Sequence, residues 1–163
     1  MALSPVMFGK ASDEWETPQD FFAKWDARMG GFALDAAASP NNAKCRLWFG
    51  PGGLCEDALA LKDWRVDDSG RAIWLNPPYS RCREFIAKAR EQSLQGGMPV
   101  VCLVPSRTDT RWWHEHVYYG DNMWWPGVEV HFVKGRLKFG CTGKAENSAP
   151  FPSVVIVFRP VTA

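Results

Sequence analysis

Ala72-Ile73-Trp74-Leu75-Asn76-Pro77-Pro78-Tyr79 is the stretch on which the fold turns. Four consecutive apolar residues read as a short buried strand. It ends directly at Asn76, because Pro77 and Pro78 have no N–H to continue a ladder. Ser80 then reads as a helix cap. Cys82, Phe85, Ile86 and Ala89 fall at i, i+3, i+4 and i+7, leaving Arg81, Arg83, Lys88 and Arg90 outside, until Gly96-Gly97 ends the helix. Val100–Val104 is a further buried strand.

Toward the N-terminus, Thr17-Pro18 predicts a helix start, Thr as the cap and Pro as the first helical residue. Phe21, Phe22, Trp25 and Met29 form the apolar face, and Gly30-Gly31 stops the helix. Phe32-Ala33-Leu34 reads as a strand running into Asp35 and three alanines. Residues 39–57 are rich in Gly, Pro and Asn around Leu47-Trp48-Phe49, a loop with a brief strand, and Asp57-Ala58-Leu59 follows. Toward the C-terminus, a polar loop precedes a short helix near 109–118, and Val128–Phe139 and Ser153–Phe158 read as two final strands. The pattern is that of a mostly parallel α/β sheet.

The 163 residues, 46% hydrophobic, suffice for one core, and no shift in composition divides them. Residues 1–12 read as a loose segment and 13–163 as one domain. No stretch approaches the roughly 20 apolar residues of a membrane span, and the N-terminus lacks the zones of a signal peptide, so a cytoplasmic protein is expected. Cys45, Cys55, Cys82, Cys102 and Cys141 are scattered without a C-x-x-C pair, so they are expected to be mostly buried thiols. A net charge of +1 excludes a histone-like profile but not local clusters of cations. Most of the nine tryptophans must lie in the core or an interface.

In open α/β sheets ligands bind beyond the carboxyl ends of the strands, where both Asp35 and Asn76 fall. An Asn side-chain oxygen and the Pro77 carbonyl suit the hydrogens of a planar amine. Accepting them frees a lone pair otherwise delocalised into a ring and offsets the charge that develops when the nitrogen attacks. Pro77 and Pro78 hold these carbonyls stiffly, and Tyr79 offers a flat surface for an extruded base.

The ordered series Trp15-Glu16-Thr17-Pro18, Leu34-Asp35-Ala36-Ala37, Asp57-Ala58-Leu59 with Trp64, Asn76-Pro77-Pro78-Tyr79, Leu103-Val104-Pro105 and Gly135-Arg136-Leu137-Lys138-Phe139 resembles the amino-methyltransferases, and more closely the phage-encoded DNA N6-adenine methyltransferases, over residues 13–159. The resemblance implies a Rossmann-like S-adenosylmethionine-dependent methyltransferase fold, with a mostly parallel sheet and an antiparallel final strand. It implies methyl transfer to adenine N6 in double-stranded DNA after base flipping, catalysed by Asn76, Pro77, Pro78 and Tyr79, in a bacterial host and as protection from restriction. Trp15, Thr17, Pro18, Asp35, Ala36, Ala37 and Asp57 are the implied S-adenosylmethionine contacts. A helix N-terminus suits the cofactor carboxylate, Asp35 its ammonium, and the alanines a close backbone approach. The chain departs from the broader pattern in having no G-x-G after Asp35 and no obvious second acid for the ribose. The same loop chemistry also serves a protein-glutamine methyltransferase, and the fold alone a non-catalytic DNA-binding module.

Lys134, Arg136 and Lys138 alternate with Val133, Gly135, Leu137 and Phe139, which predicts a strand with one cationic face able to follow phosphates. Arg107 and Arg111 are placed to extend this track, and the resemblance implies Phe139 or Phe151 as the ring opposite Tyr79 across the base. The loops 105–127 and 140–152 are left to read the target sequence. His114 and His116 bracket Glu115 without a third ligand at suitable spacing, so no metal is expected.

Overall fold

The computed structural model describes residues 15–141 and 144–162, with the backbone alone at 141 and 144–147. The segment 1–12 lies outside the described residues. Helix α1 (Gln19–Met29) is followed by strands β1 (Phe32–Asp35) and β2 (Ala72–Leu75), helix α2 (Cys82–Gly96), strand β3 (Val100–Pro105) and helix α3 (Arg111–His116). Strands β4 (Tyr118–Gly120), β5 (Met123–Trp124), β6 (Val128–Phe132), β7 (Lys138–Cys141), β8 (Lys144–Ser148) and β9 (Ser153–Phe158) complete the order.

The central sheet runs β1-β2-β3-β9-β6, with β1, β2 and β3 parallel and β9 antiparallel to both its neighbours. β6 therefore points the same way as the first three strands. This is a Rossmann-like methyltransferase fold with one reversed strand, the last, inserted next to the edge. The strands read as unbroken apolar runs because both faces are covered. Ile73, Leu75, Val100, Cys102, Val104, Val154 and Ile156 face α2 and α3, while Trp74, Val101, Leu103, Val155 and Val157 pack with Phe22 and Trp25 of α1. Cys82 and Cys102 are buried in the first of these layers, and Cys45 and Cys55 are half-buried.

The long connection from β1 to β2 is fastened to the sheet by polar groups. Trp48 forms a parallel bridge with Asp35, the brief strand expected there. Gly50 passes so close to residue 38 that an added Cβ would lie 1.8 Å from the Ala38 carbonyl oxygen. Trp64 is fully buried, its indole donating to the Ala58 carbonyl at 2.8 Å and its N–H to Gln92 Oε1 at 2.8 Å. Gln92 Nε2 donates to the Lys62 carbonyl. The loop carrying Asp57 is thereby pinned to α2.

Four expectations are corrected. Pro18, not Thr17, occupies the cap position of α1, and no side chain caps it; the Thr17 hydroxyl is engaged elsewhere. Ser80 lies within a short turn, Tyr79–Arg81, and Arg81 precedes α2. The short third helix covers Arg111–His116 rather than 109–118. Val128–Phe139 is two strands, because Lys134 and Gly135 bend the chain and Gly135 has φ +74°, a conformation a strand does not use. Lys134 and Arg136 are therefore in a turn and Lys138 opens a separate hairpin, so they share no strand face.

Candidate active site

The carboxyl ends of β1 and β2 open into a cleft of about 280 Å³. Trp15, Thr17, Asp35, Ala36, Ala37, Asp57, Asn76 and Pro78 line it, together with Glu16, Lys44, Glu56 and Arg81. Pro18 is not among the lining residues and Pro77 is buried beneath the turn. The cleft is thus built from four separated pieces of chain.

Asn76 is oriented from the N-terminal side. Its Nδ2 donates to the Trp15 carbonyl at 2.5 Å and to Thr17 Oγ1 at 3.1 Å. Residues 15–17 are held in turn by an antiparallel bridge in which Glu16 and Gly140 exchange backbone hydrogen bonds at 3.2 and 3.0 Å. With both amide hydrogens engaged, a flipped amide would set Oδ1 against the Trp15 carbonyl oxygen, acceptor against acceptor. Asn76 Oδ1 is consequently fixed and buried and, among the described residues, has no hydrogen-bond partner. A buried, unmatched acceptor costs about 1–3 kcal/mol, and a donor arriving in the cleft relieves that cost.

Asp35 is 2% exposed. Its oxygens accept from the backbone N–H of Ala37 at 3.3 Å and of Lys44 at 3.0 Å. Burial raises its pKa to about 7, against the opposing effect of those two N–H groups and of the Lys44 charge. Lys44 Nζ, on a nearly buried side chain, lies 3.3 Å from Glu16 Oε1. Asp57 closes its own short turn by accepting from the Leu59 N–H at 3.0 Å, with its carboxylate exposed toward the cleft.

Beside the cleft stands an aromatic cluster. Tyr79 meets Phe151 edge-on at 5.4 Å and Phe139 at 6.4 Å, and Trp15 meets the same two rings at 5.3 and 5.5 Å. Phe139 is 1% exposed and is part of the core, while Phe151 is half-buried at the margin. The Tyr79 hydroxyl is enclosed and, among the described residues, has no hydrogen-bond partner; burial, with a smaller effect from Cys82, holds its pKa well above the ordinary value.

The rim of this end of the molecule is basic. Arg107 follows β3, where the Ser106 N–H donates to the Pro152 carbonyl beside Phe151. Lys134 and Arg136 lie in the turn beyond the carboxyl end of β6, and Lys138 precedes Phe139. These four side chains are exposed and, among the described residues, form no ion pair. Arg65, Arg71, Arg81 and Arg159 are each bound to a neighbouring carboxylate, and Arg111 lies 3.8 Å from Glu115. His114 meets the Thr108 carbonyl, and His116 lies 3.9 Å from Glu115 on the same short helix.

Glu16, Lys44 and Glu56 were not singled out by sequence reasoning. Glu16 stood inside a recognised motif; Lys44 and Glu56 lie in an irregular loop without any periodic signal.

Two relatives share most of this chain. A DNA N-6-adenine-methyltransferase of Escherichia phage T1 is 32% identical over 157 residues, covering 90% of this chain and 63% of its own length. A DNA N-6-adenine-methyltransferase of Haemophilus phage HP1 is 27% identical over 151 residues, covering 91% of this chain and 79% of its own. The chain therefore spans somewhat under two thirds of the T1 relative. The family described as DNA N-6-adenine-methyltransferase (Dam) matches residues 7–163. With Asn76 held at the strand end beside its aromatic cluster and the match running through every piece of the cleft, this chain belongs to the DNA N-6-adenine-methyltransferase (Dam) family.

Proposed function

We propose that the chain transfers a methyl group from S-adenosylmethionine to the N6 amine of an adenine flipped out of double-stranded DNA. The observation that carries this reading is Asn76, whose amide hydrogens are spent on Trp15 and Thr17 while its Oδ1 is kept as a buried acceptor without a partner. Such an acceptor selects a donor, and an exocyclic amine is one. Accepting an N6 hydrogen draws the nitrogen lone pair out of conjugation with the ring and offsets the positive charge that grows on nitrogen. Pro77 and Pro78 hold the loop, and Tyr79 supplies the stacking surface. Phe151, half-buried at the margin, is the ring able to give way and close on the other side of the base; Phe139 supports it from the core.

The cleft suits the cofactor, which supplies an electrophilic methyl group when bound. Asp35 offers a carboxylate to its ammonium, with Ala36 and Ala37 allowing close approach, and Lys44 is the cation nearest at hand for its carboxylate. That role replaces the helix N-terminus at Pro18, which does not line the cleft. Glu56 and Asp57 lie exposed along the same wall, suited to ribose hydroxyls and an adenine amine. Arg107, Lys134, Arg136 and Lys138 form the DNA-facing rim, and Arg111, near Glu115, lies at its margin. We place the activity in the cytoplasm of a bacterial host, where methylation protects phage DNA from restriction. Among the described residues, no helix is long and apolar enough to cross a membrane.

Transfer of a labelled methyl group to adenine-containing duplex DNA, compared with protein and RNA, tests the proposal. N6-methyladenine is the expected product; labelled protein without labelled DNA would overturn it.

The Asp35 carboxylate gives a second expected result. Its pKa of about 7 lies above the ordinary carboxylate value, so protons compete with the cofactor ammonium as pH falls through 7. The apparent Kd for S-adenosylmethionine is expected to rise about fivefold between pH 7 and pH 6 as the ionised fraction shrinks. In Asp35→Asn affinity is low and flat over this range. Calorimetry checks both, and a flat native profile would mean that Asp35 serves the loop alone.

A further inference from the structure

We infer that this chain self-associates through β6, whose outer edge pairs antiparallel with β6 of a second copy about a two-fold axis at Val130. β6 is the last strand of the central sheet and has one neighbour, β9. The hydrogen bonds joining Gly127 to Arg159 and Val133 to Ser153 put the odd-numbered residues in register with β9. The N–H and C=O groups of Val130 and Phe132 therefore point outward, and among the described residues no hydrogen bond engages them.

Natural edge strands are blunted by lysine, proline or a bulge, because an open ladder recruits another strand. Val128-Glu129-Val130-His131-Phe132 has none of these. Phe132 is instead 63% exposed, the most exposed of the large hydrophobic residues among those described.

The strand is complementary to itself. In the register centred on Val130, each Val130 exchanges two hydrogen bonds with its counterpart, and each Phe132 stands opposite the other copy's Val128. Glu129 then faces His131 of the second copy at a non-hydrogen-bonded pair, where opposing side chains lie closest. An acid meets a basic side chain twice, as a two-fold interface requires. Glu129 is already positioned by Arg159 and by its own His131, with His131 at 3.4 Å. At the N-terminal end of β6 the Trp125 carbonyl accepts the Val128 N–H at 3.0 Å. That turn brings the β4–β5 hairpin, with exposed Tyr119, Met123 and Trp124, to the end of the strand that receives the other copy's Phe132.

Antiparallel pairing reverses the second sheet, so the two clefts open at opposite ends of one ten-stranded sheet. One dimer thereby presents its two clefts at separate ends.

Sedimentation equilibrium of the full chain over a wide concentration range tests this. The native chain is expected at roughly twice its 18.3 kDa. Val130→Pro removes the central outward N–H at a place where an edge strand tolerates proline, and is expected at the monomer mass with cofactor affinity unchanged. Should that variant misfold, Phe132→Lys serves, since its side chain is largely in solvent. His131→Glu sets carboxylate against carboxylate and is expected to be monomeric, and adding Glu129→His restores the dimer. A native chain at monomer mass at the highest concentration, or a folded Phe132→Lys or His131→Glu variant that stays dimeric, would overturn the inference.

Discussion

Asn76→Ala is expected to lower methyl transfer by about 10²- to 10³-fold at saturating S-adenosylmethionine, with a loss of stability of about 1–3 kcal/mol from the two hydrogen bonds of Nδ2. The magnitude follows from what the side chain does in each state. In the resting protein Oδ1 is an unmatched buried acceptor, so its own removal breaks no hydrogen bond and the cost in stability comes from Nδ2 alone. Its interaction is made with the reacting amine and grows as charge develops there, so its loss falls on turnover. Nδ2, by contrast, ties the strand end to Trp15 and Thr17. Thr17→Val should therefore give a smaller loss of turnover than Asn76→Ala, because the Trp15 carbonyl still holds the amide. Single-turnover measurement at saturating cofactor separates the two residues. Near-native turnover in a folded Asn76→Ala variant would remove Asn76 from the chemistry.

This division between acceptor and tether shows how far the sequence was legible. Asn76 and Asp35 were readable because each ends an apolar run, and strand ends in such sheets converge on one crevice. Thr17 lies in the cleft but is not a helix cap: a threonine before proline reads as one, and only tertiary contact reveals that its hydroxyl faces Asn76. Lys44 and Glu56 could not be read, because the chain between β1 and β2 has no period to place a side chain. Its path depends on the bridge at Trp48 and the close passage at Gly50. The stretch Val128–Phe139 misled for a related cause. Alternation of cations with apolar residues imitates a strand of period two, and one glycine with positive φ at Gly135 divides it.

Replacing Lys134, Arg136 and Lys138 together by glutamine is the other change with a large expected effect, and the break at Gly135 alters its basis but not its direction. Phosphate-like spacing along one strand no longer applies. The remaining argument is electrostatic. These exposed cations, with Arg107, stand at the carboxyl end of the sheet and, among the described residues, form no ion pair, while Arg65, Arg71, Arg81 and Arg159 are each bound to a carboxylate. An unpaired cluster around one cleft concentrates positive potential there despite a net charge of only +1. Each contact with a phosphate releases counterions from duplex DNA and contributes about 0.9 to the slope of log affinity against log salt. Losing all three should lower that slope by about 2.7 and weaken binding by about 10²- to 10³-fold near 0.1 M salt. The loss should be alike for all duplex sequences, because phosphate contacts carry no base information. Cofactor affinity should not change, since none of the three lines the cleft. DNA affinity at several salt concentrations for the native chain and the triple variant makes the comparison, and an unchanged slope would place the duplex on the Arg107 and Arg111 side.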